Sequence, residues 1–299
     1  MTANILPCDV YTPEAVAACE KALRTLLRRI GPWGQKVVLV GGMAPRYLVP
    51  QPANAVGPHP GTTDLDVVIG VAVEDSPECY KSLAKNLKDC DFAPLRKEDG
   101  TPSSWQWQRQ VDGISVVVEF LCPDIDGRLG RLKKNPAEGI GSEISALQVQ
   151  GAHLVGVDFV EIDLAGELLD EGGVSNQPIC LRVANFASYL TLKAFALRDR
   201  LKEKDAFDIV WILTAHPEGP IGVRACVDQS PIAGTEEVKQ AIGLIAEKFA
   251  SPSHEGSASF AKFVLGLSGR TADAAPEDAA RLRRDAHGAV RAFLAAATG

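Results

Sequence analysis

Hydrophobic and polar positions along this chain follow two different periods, and the change from one to the other divides it. Residues 12–30, "TPEAVAACEKALRTLLRRI", set Val16, Ala17, Leu23, Leu26 and Leu27 at helical spacing, with Thr12 as N-cap and Pro13 at the first helical position. "KVVLV" (36–40) is an apolar run of strand length closed by Gly41-Gly42, and a short helix is expected after that turn. "DLDVVIG" (64–70) predicts the next strand, followed by a helix over 77–87. "SSWQWQRQ" (103–110) alternates large and polar residues, Asp112-Gly113 supplies a turn, and "ISVVVEFL" (114–121) returns, which together predict a hairpin. Residues 124–151, rich in glycine, proline and charge, predict a long loop or a short irregular helix. "GVDFVEIDL" (156–164) and "PICLRVA" (178–184) predict two further strands. From Asn185 onward the pattern is helical, over 186–200, 203–215, 234–249 and 276–297. An α/β half followed by a helical half, with the boundary at 184, is the simplest architecture.

Composition narrows the class without naming a chemistry. At 299 residues the chain has material for two domains of ~150 residues each. Its seven cysteines are scattered and form no C-x-x-C pair, which argues against a zinc ribbon or a disulfide framework and for a reducing compartment. No secretory n- and h-regions open the sequence and no apolar run reaches the ~18 residues of a membrane span, so a soluble cytoplasmic protein with no membrane partner is expected. Neither internal repeats nor low-complexity tracts are present. A net charge of -7 disfavours coating nucleic acid by charge alone. Two segments are locally basic: "RLGRLKK" (128–134), and 192–204, with five cations against two anions. Each reads as a solvated face or as part of a local groove.

The candidate chemistry begins with two aspartates. In a strand, Asp64 and Asp66 project from one face, and charged side chains are seldom buried unless paired or holding a metal. A strand-borne D-x-D suits magnesium, which takes oxygen ligands and keeps waters and phosphate oxygens beside one or two carboxylates; taken alone, the same pattern also arises by chance. Upstream, Gly41 and Gly42 permit a tight turn and a close approach of backbone amides to phosphate. In "ISVVVEFL", Glu119 shares a face with Val117 and Leu121, opposite Val116, Val118 and Phe120. It reads either as an exposed edge charge or as a third carboxylate of one site. Three such acids can hold two metals ~4 Å apart, activate an attacking hydroxyl and neutralise a leaving pyrophosphate. On the hairpin, Trp105 and Trp107 read as packing residues and Arg109 as the better candidate for contact with a nucleotide. No Ser-His-Asp arrangement or Walker-type phosphate loop is present.

"VGGMA", then "GTTDLDV", then the acid in "VVVEFL" together resemble the nucleotidyltransferase superfamily with a DNA polymerase β-type palm. Within it the chain is similar to the AbiEii/AbiGii group of toxins. "LKAFALRDRLKEKDAFDIVWIL" (192–213), with a lysine, an arginine and a K-D-x-x-D run, is similar to that group's helical motif. The resemblance implies a mixed-sheet palm domain at 1–184 and a helical domain at 185–299. It implies Gly41, Gly42 and Thr63 at the triphosphate, Asp64, Asp66 and Glu119 at Mg2+ or Mn2+, and Lys193 and Asp208 as nucleotide-contacting or catalytic residues. On one continuous helix Lys193, Leu197, Arg200, Lys204 and Asp208 would share a face; Lys204, Asp205 and Asp208 read equally as an ion-pair ladder. The implied reaction moves a nucleoside monophosphate from a nucleoside triphosphate to an acceptor. That acceptor is a tRNA end if the chain is the toxin of a toxin–antitoxin pair, or a small molecule of antibiotic type; the other alternative is a catalytically silent domain that binds nucleotide or a partner. The group's arginine before the hydroxyl-D-x-D segment is missing: "PHPGTTDLD" offers His59 and glycine, and His59 reads as a surface-loop residue. The 19 residues between Gly42 and Thr62 contain five prolines, so loop 45–61 is expected to be stiff and to shape acceptor specificity.

Overall fold

Strict alternation along residues 114–123 sets the frame. In the computed structural model Val116, Val118, Phe120 and Cys122 are fully buried on one face of this strand, while Val117, Glu119 and Leu121 on the other are half-buried. The structure describes residues 7–30, 36–53, 56–69, 77–124, 127–134, 144–168 and 174–296. In chain order the elements are α1 (Pro7–Val10), α2 (Pro13–Arg29), β1 (Val37–Leu39), α3 (Ala44–Leu48), β2 (Asp64–Ile69), α4 (Pro77–Asp89), β3 (Ala93–Arg96), β4 (Pro102–Val111), β5 (Ile114–Pro123), β6 (Leu132–Lys134), β7 (Ser145–Val149), β8 (Phe159–Glu167) and β9 (Val174–Ala184). The helices α5 (Phe186–Arg200), α6 (Glu203–Ala215), α7 (Gly219–Gln229), α8 (Glu236–Lys248), α9 (Glu255–Leu267) and α10 (Pro276–Ala295) follow. The class is α+β, with a mixed sheet and ten α-helices among the described residues. None of these helices is long and apolar enough to cross a membrane.

The chain forms two units: a sheet unit of Pro13–Ala44 and Thr62–Ala184, and a helical unit of Met1–Thr12, Pro45–Gly61 and Asn185–Gly299. The second half of the chain begins its helical unit at Asn185, and that unit also takes in the proline-rich segment 45–61.

In the sheet unit the strand order is β3-β4-β5-β2-β1-β9-β8, with β7 on β5 and β6 on β7. β2 runs parallel to β5 and antiparallel to β1, and β1 runs parallel to β9. Helix α2 turns Ala15, Val16, Cys19, Ala22, Leu23, Leu26 and Leu27 inward, packing against β5, β8 and β9; Ala17, expected inside, faces out. The β4–β5 hairpin closes on Asp112 (φ 52°) and Gly113 (φ 81°), the two left-handed residues that a tight two-residue turn requires. In the stretch 124–151, expected as loop or irregular helix, β6 and β7 form an antiparallel pair, and β7 extends β5 in parallel. Residues 125–126 and 135–143 of that stretch lie outside the described residues.

In the helical unit α6 is the central element, packed against α5, α7, α9 and α10, with every residue from Asp205 to Leu213 buried. A helix enclosed on all sides has no solvent face for its charges, so Asp205 and Asp208 must find partners inside. Two helices stand here, as the pattern over 186–200 and 203–215 predicts, so the condition for one shared face from Lys193 to Asp208 is not met: α5 is capped by Leu201 in a left-handed conformation (φ 47°), and α6 starts afresh after Lys202.

Candidate functional site

Three residues of the sheet unit line up across three strands. Gln106 on β4 is paired with Glu119 on β5, and Glu119 is paired with Asp66 on the parallel strand β2. Residues directly opposite in a ladder share a face, so all three side chains emerge together, with Asp64 two residues earlier on the same side. The Gln106 amide donates to Glu119 Oε1 at 2.8 Å, and Asp66 stands directly across from Glu119 on the neighbouring strand. Burial, followed by the negative charge of Asp66, pushes Glu119 up to about 8. Glu119 is thus no exposed edge charge: β5 lies between β4 and β2.

Gly41 completes this corner. It has φ of +67°, and a Cβ built there would lie 1.9 Å from Asp66 Oδ2, so only glycine lets the turn after β1 approach the carboxylate. The amide of Val40 donates to the carbonyl of Asp66 at 2.9 Å, which fixes the turn against β2. Gly42 is buried in a 3-10 turn over Gly41–Met43. The backbone of Asp64 donates to the hydroxyl of Thr62, while Thr63 accepts from Val117 through its carbonyl.

Arg109, expected at the nucleotide, does not join this group. It pairs with Val116, an odd step from the Gln106–Glu119 pair, and so projects from the opposite face of the sheet. Its guanidinium donates to the Cys90 carbonyl at 2.7 Å and lies 3.6 Å from Asp91. Trp107, on Arg109's face, is fully buried, as a packing residue should be.

Lys193 and Asp208 belong to a separate cluster inside the helical unit. Lys193 Nζ lies 2.9 Å from Asp205 Oδ1 and 2.6 Å from Asp208 Oδ2. Asp208 also accepts from Lys204 at 2.8 Å, and Arg200 closes on Asp205 with both Nε and Nη2. His59, expected on the surface, is 2 % exposed. The amide of Gly61 donates to His59 Nδ1 at 3.0 Å, so the ring proton sits on Nε2, which donates to Asp208 Oδ1 at 2.9 Å. Burial lowers His59 to about 4 even against the pull of Asp208. Burial would raise Asp208, yet Lys193 and Lys204 hold it far below the carboxylate range. Burial would also lower Lys193, but the charges of Asp208 and Asp205 outweigh it and hold the ammonium above its ordinary value. Lys193 and Asp208, expected at a nucleotide, are each buried and turned to charges of their own unit.

The same cluster consumes Lys193, Arg200 and Lys204 of the basic segment 192–204, and Arg198 pairs with Asp199 at 2.6 Å. That stretch is no open basic groove. Loop 45–61 is bound into its unit through His59, through Trp211 Nε1 on the Gly57 carbonyl, through Ala53 on the Ala215 carbonyl, and through Arg46 on the His59 carbonyl.

The carboxylate corner gathers oxygen donors of one charge sign on one face of the sheet. Asp66 and Glu119 are cross-strand neighbours, Asp64 lies on the same face, and the side-chain donor to Glu119 is the neutral amide of Gln106. Among the described residues no group of three or more His, Cys, Asp or Glu side chains is arranged to hold a metal ion. Magnesium does not need one, since one or two carboxylates with phosphate oxygens and waters suffice. Gln106 and His59 are the site and cluster residues that sequence patterning did not single out for these roles. No family model, curated protein or solved structure matches the chain.

Proposed function

We propose that the sheet unit is a nucleotidyltransferase palm and that the chain moves a nucleoside monophosphate from a nucleoside triphosphate to an acceptor. The observation that carries this reading is the side-by-side placement of Asp66 and Glu119 on parallel strands with Gly41 backed against Asp66. A bound Mg2+ or Mn2+ would supply positive charge to the triphosphate and to the departing pyrophosphate. Asp64, Asp66 and Glu119 would hold it, and Gly41, Gly42 and Thr63 would line the triphosphate. In the reaction the acceptor oxygen bonds to the α-phosphorus, the bond from that phosphorus to the bridging oxygen breaks, and pyrophosphate departs. A carboxylate of this set would take the acceptor's hydroxyl proton.

For the acceptor, a tRNA end is the first choice, with a cognate antitoxin as partner, and a small-molecule hydroxyl is the second. With 192–204 closed as a groove, the basic segment 128–134, where Arg128 and Arg131 are exposed, carries the tRNA version. The test incubates the full chain with Mg2+ and each α-labelled triphosphate, alone, with total tRNA, and with a panel of aminoglycosides. Label transfer with pyrophosphate release, abolished in Asp66→Ala, supports the reading. No transfer and no pyrophosphate under any condition overturns it.

A further inference from the structure

The row Gln106–Glu119–Asp66 contains one residue that is not an acid, and its chemistry is specific. Gln106 Nε2 donates to Glu119 at 2.8 Å. Its other amide atom, Oε1, is reached by the hydroxyl of Ser103 at 3.5 Å, and the same Ser103 oxygen accepts from the Gln106 backbone at 3.2 Å. Ser103 is 2 % exposed, so the hydroxyl that orients the amide is shielded from competing water. With Oε1 turned to Ser103, the amide presents its N–H to Glu119 rather than its oxygen.

An arginine or lysine in this place would also hold Glu119, but it would cancel the charge that a cation needs. A glutamine fixes one carboxylate oxygen and leaves the net charge of Glu119 and Asp66 untouched. We infer that Gln106, locked by Ser103, is a positioning residue that orients Glu119 toward Asp66 for a divalent cation. The inference rests on the nucleotidyltransferase reading of this site and deepens it by naming what shapes the cation's ligands. Outer partners of metal-binding carboxylates change metal affinity about 10- to 100-fold when removed.

The test is Mn2+ binding to the full chain without nucleotide, read from the electron paramagnetic resonance signal of free Mn2+. Gln106→Leu is expected to weaken binding about tenfold in the wild-type background and less than twofold in Glu119→Gln, because the amide acts only through that carboxylate. Gln106→Lys places a tethered ammonium on Glu119 and is expected to raise the melting temperature of the metal-free protein while weakening Mn2+ about tenfold or more. This variant answers the question even if the leucine variant folds poorly. Wild-type binding with Gln106→Leu or Gln106→Lys binding equally well overturns the inference and leaves the reading of the site standing. An equal loss for Gln106→Leu in both backgrounds also overturns it, because it marks a merely structural role. No Mn2+ binding by the wild-type chain at millimolar concentration overturns both.

Discussion

Asp66 and Glu119 stand directly opposite each other on adjacent parallel strands, so the charge of one opposes ionisation of the other. Glu119 is raised to about 8 by burial and by the charge of Asp66, whereas in the unfolded chain it returns to about 4.5. A raised carboxyl stabilises the folded state fully below its unfolded value, and that stability is lost as pH rises toward the folded value. The metal-free protein is therefore expected to weaken between pH 4.5 and 8, by roughly 2 kcal/mol or more from this group. Glu119→Gln should flatten that slope and be the more stable protein at pH 8. Urea melts at several pH values check this, and an unchanged slope in the variant counts against it.

Gly41 is the site's narrowest tolerance. Gly41→Ala meets two costs at once: a left-handed φ, about 1 to 2 kcal/mol for an alanine, and a Cβ inside the van der Waals shell of Asp66. The expected outcome is a loss of more than 2 kcal/mol in urea melts, or a displaced Asp66 with Mn2+ affinity reduced at least tenfold. Gly100, also at positive φ but with nothing near its Cβ, is the control: Gly100→Ala should show the backbone cost alone and leave Mn2+ binding intact.

His59 predicts an acid limb of different origin. Protonation at Nδ1 would break the bond from Gly61 and set a charge beside Lys204 and Lys193, although Asp208 would favour it. A histidine lowered to about 4 contributes stability that is complete above its unfolded value of 6.5 and is lost as pH falls from there to 4. The full loss is on the order of 3 kcal/mol. His59→Gln keeps an N–H directed at Asp208 and removes the titration, so amide exchange in α5 and α6 should become independent of pH, beyond its chemical rate, over that window. A retained acid limb in the variant would assign it to other groups.

How far these features could be read beforehand follows from the range of the contacts that create them. The hairpin was legible because its turn is local: Val111 opposite Ile114 fixes every later pair, and that register alone sets Gln106 against Glu119 and Arg109 on the other face. The same count could have excluded Arg109 from the carboxylate side. His59 was misjudged because its burial depends on α6, 149 residues further along, and no local period carries that contact. Helices α7, "GPIGVRACVDQ", and α9, "EGSASFAKFVLGL", went unpredicted since glycine, serine and proline dilute their helical propensity; they form by packing on α6 and α10. β6 and β7 were missed because three- and five-residue strands are too short to show alternation.

Lys193 gives the sharpest separation between a structural and a nucleotide-contacting role. It bridges α5 to two acids of α6, and all three side chains are within 6 % of complete burial. Lys193→Met preserves most of the volume and deletes the charge, leaving Asp205 to Arg200 and Asp208 to Lys204 and His59. Breaking a buried pair from one side costs about 3 to 5 kcal/mol, because the remaining charge is still desolvated. Removing the exposed partner Asp285 from Arg281 should cost under about 0.5 kcal/mol, which calibrates the measurement. The expected outcome for Lys193→Met is faster amide exchange throughout α5 and α6, with triphosphate binding per folded molecule unchanged. A variant that keeps wild-type protection but no longer binds triphosphate would instead restore Lys193 to the nucleotide, since a charge needed only for the fold cannot be deleted without loosening the helices it joins.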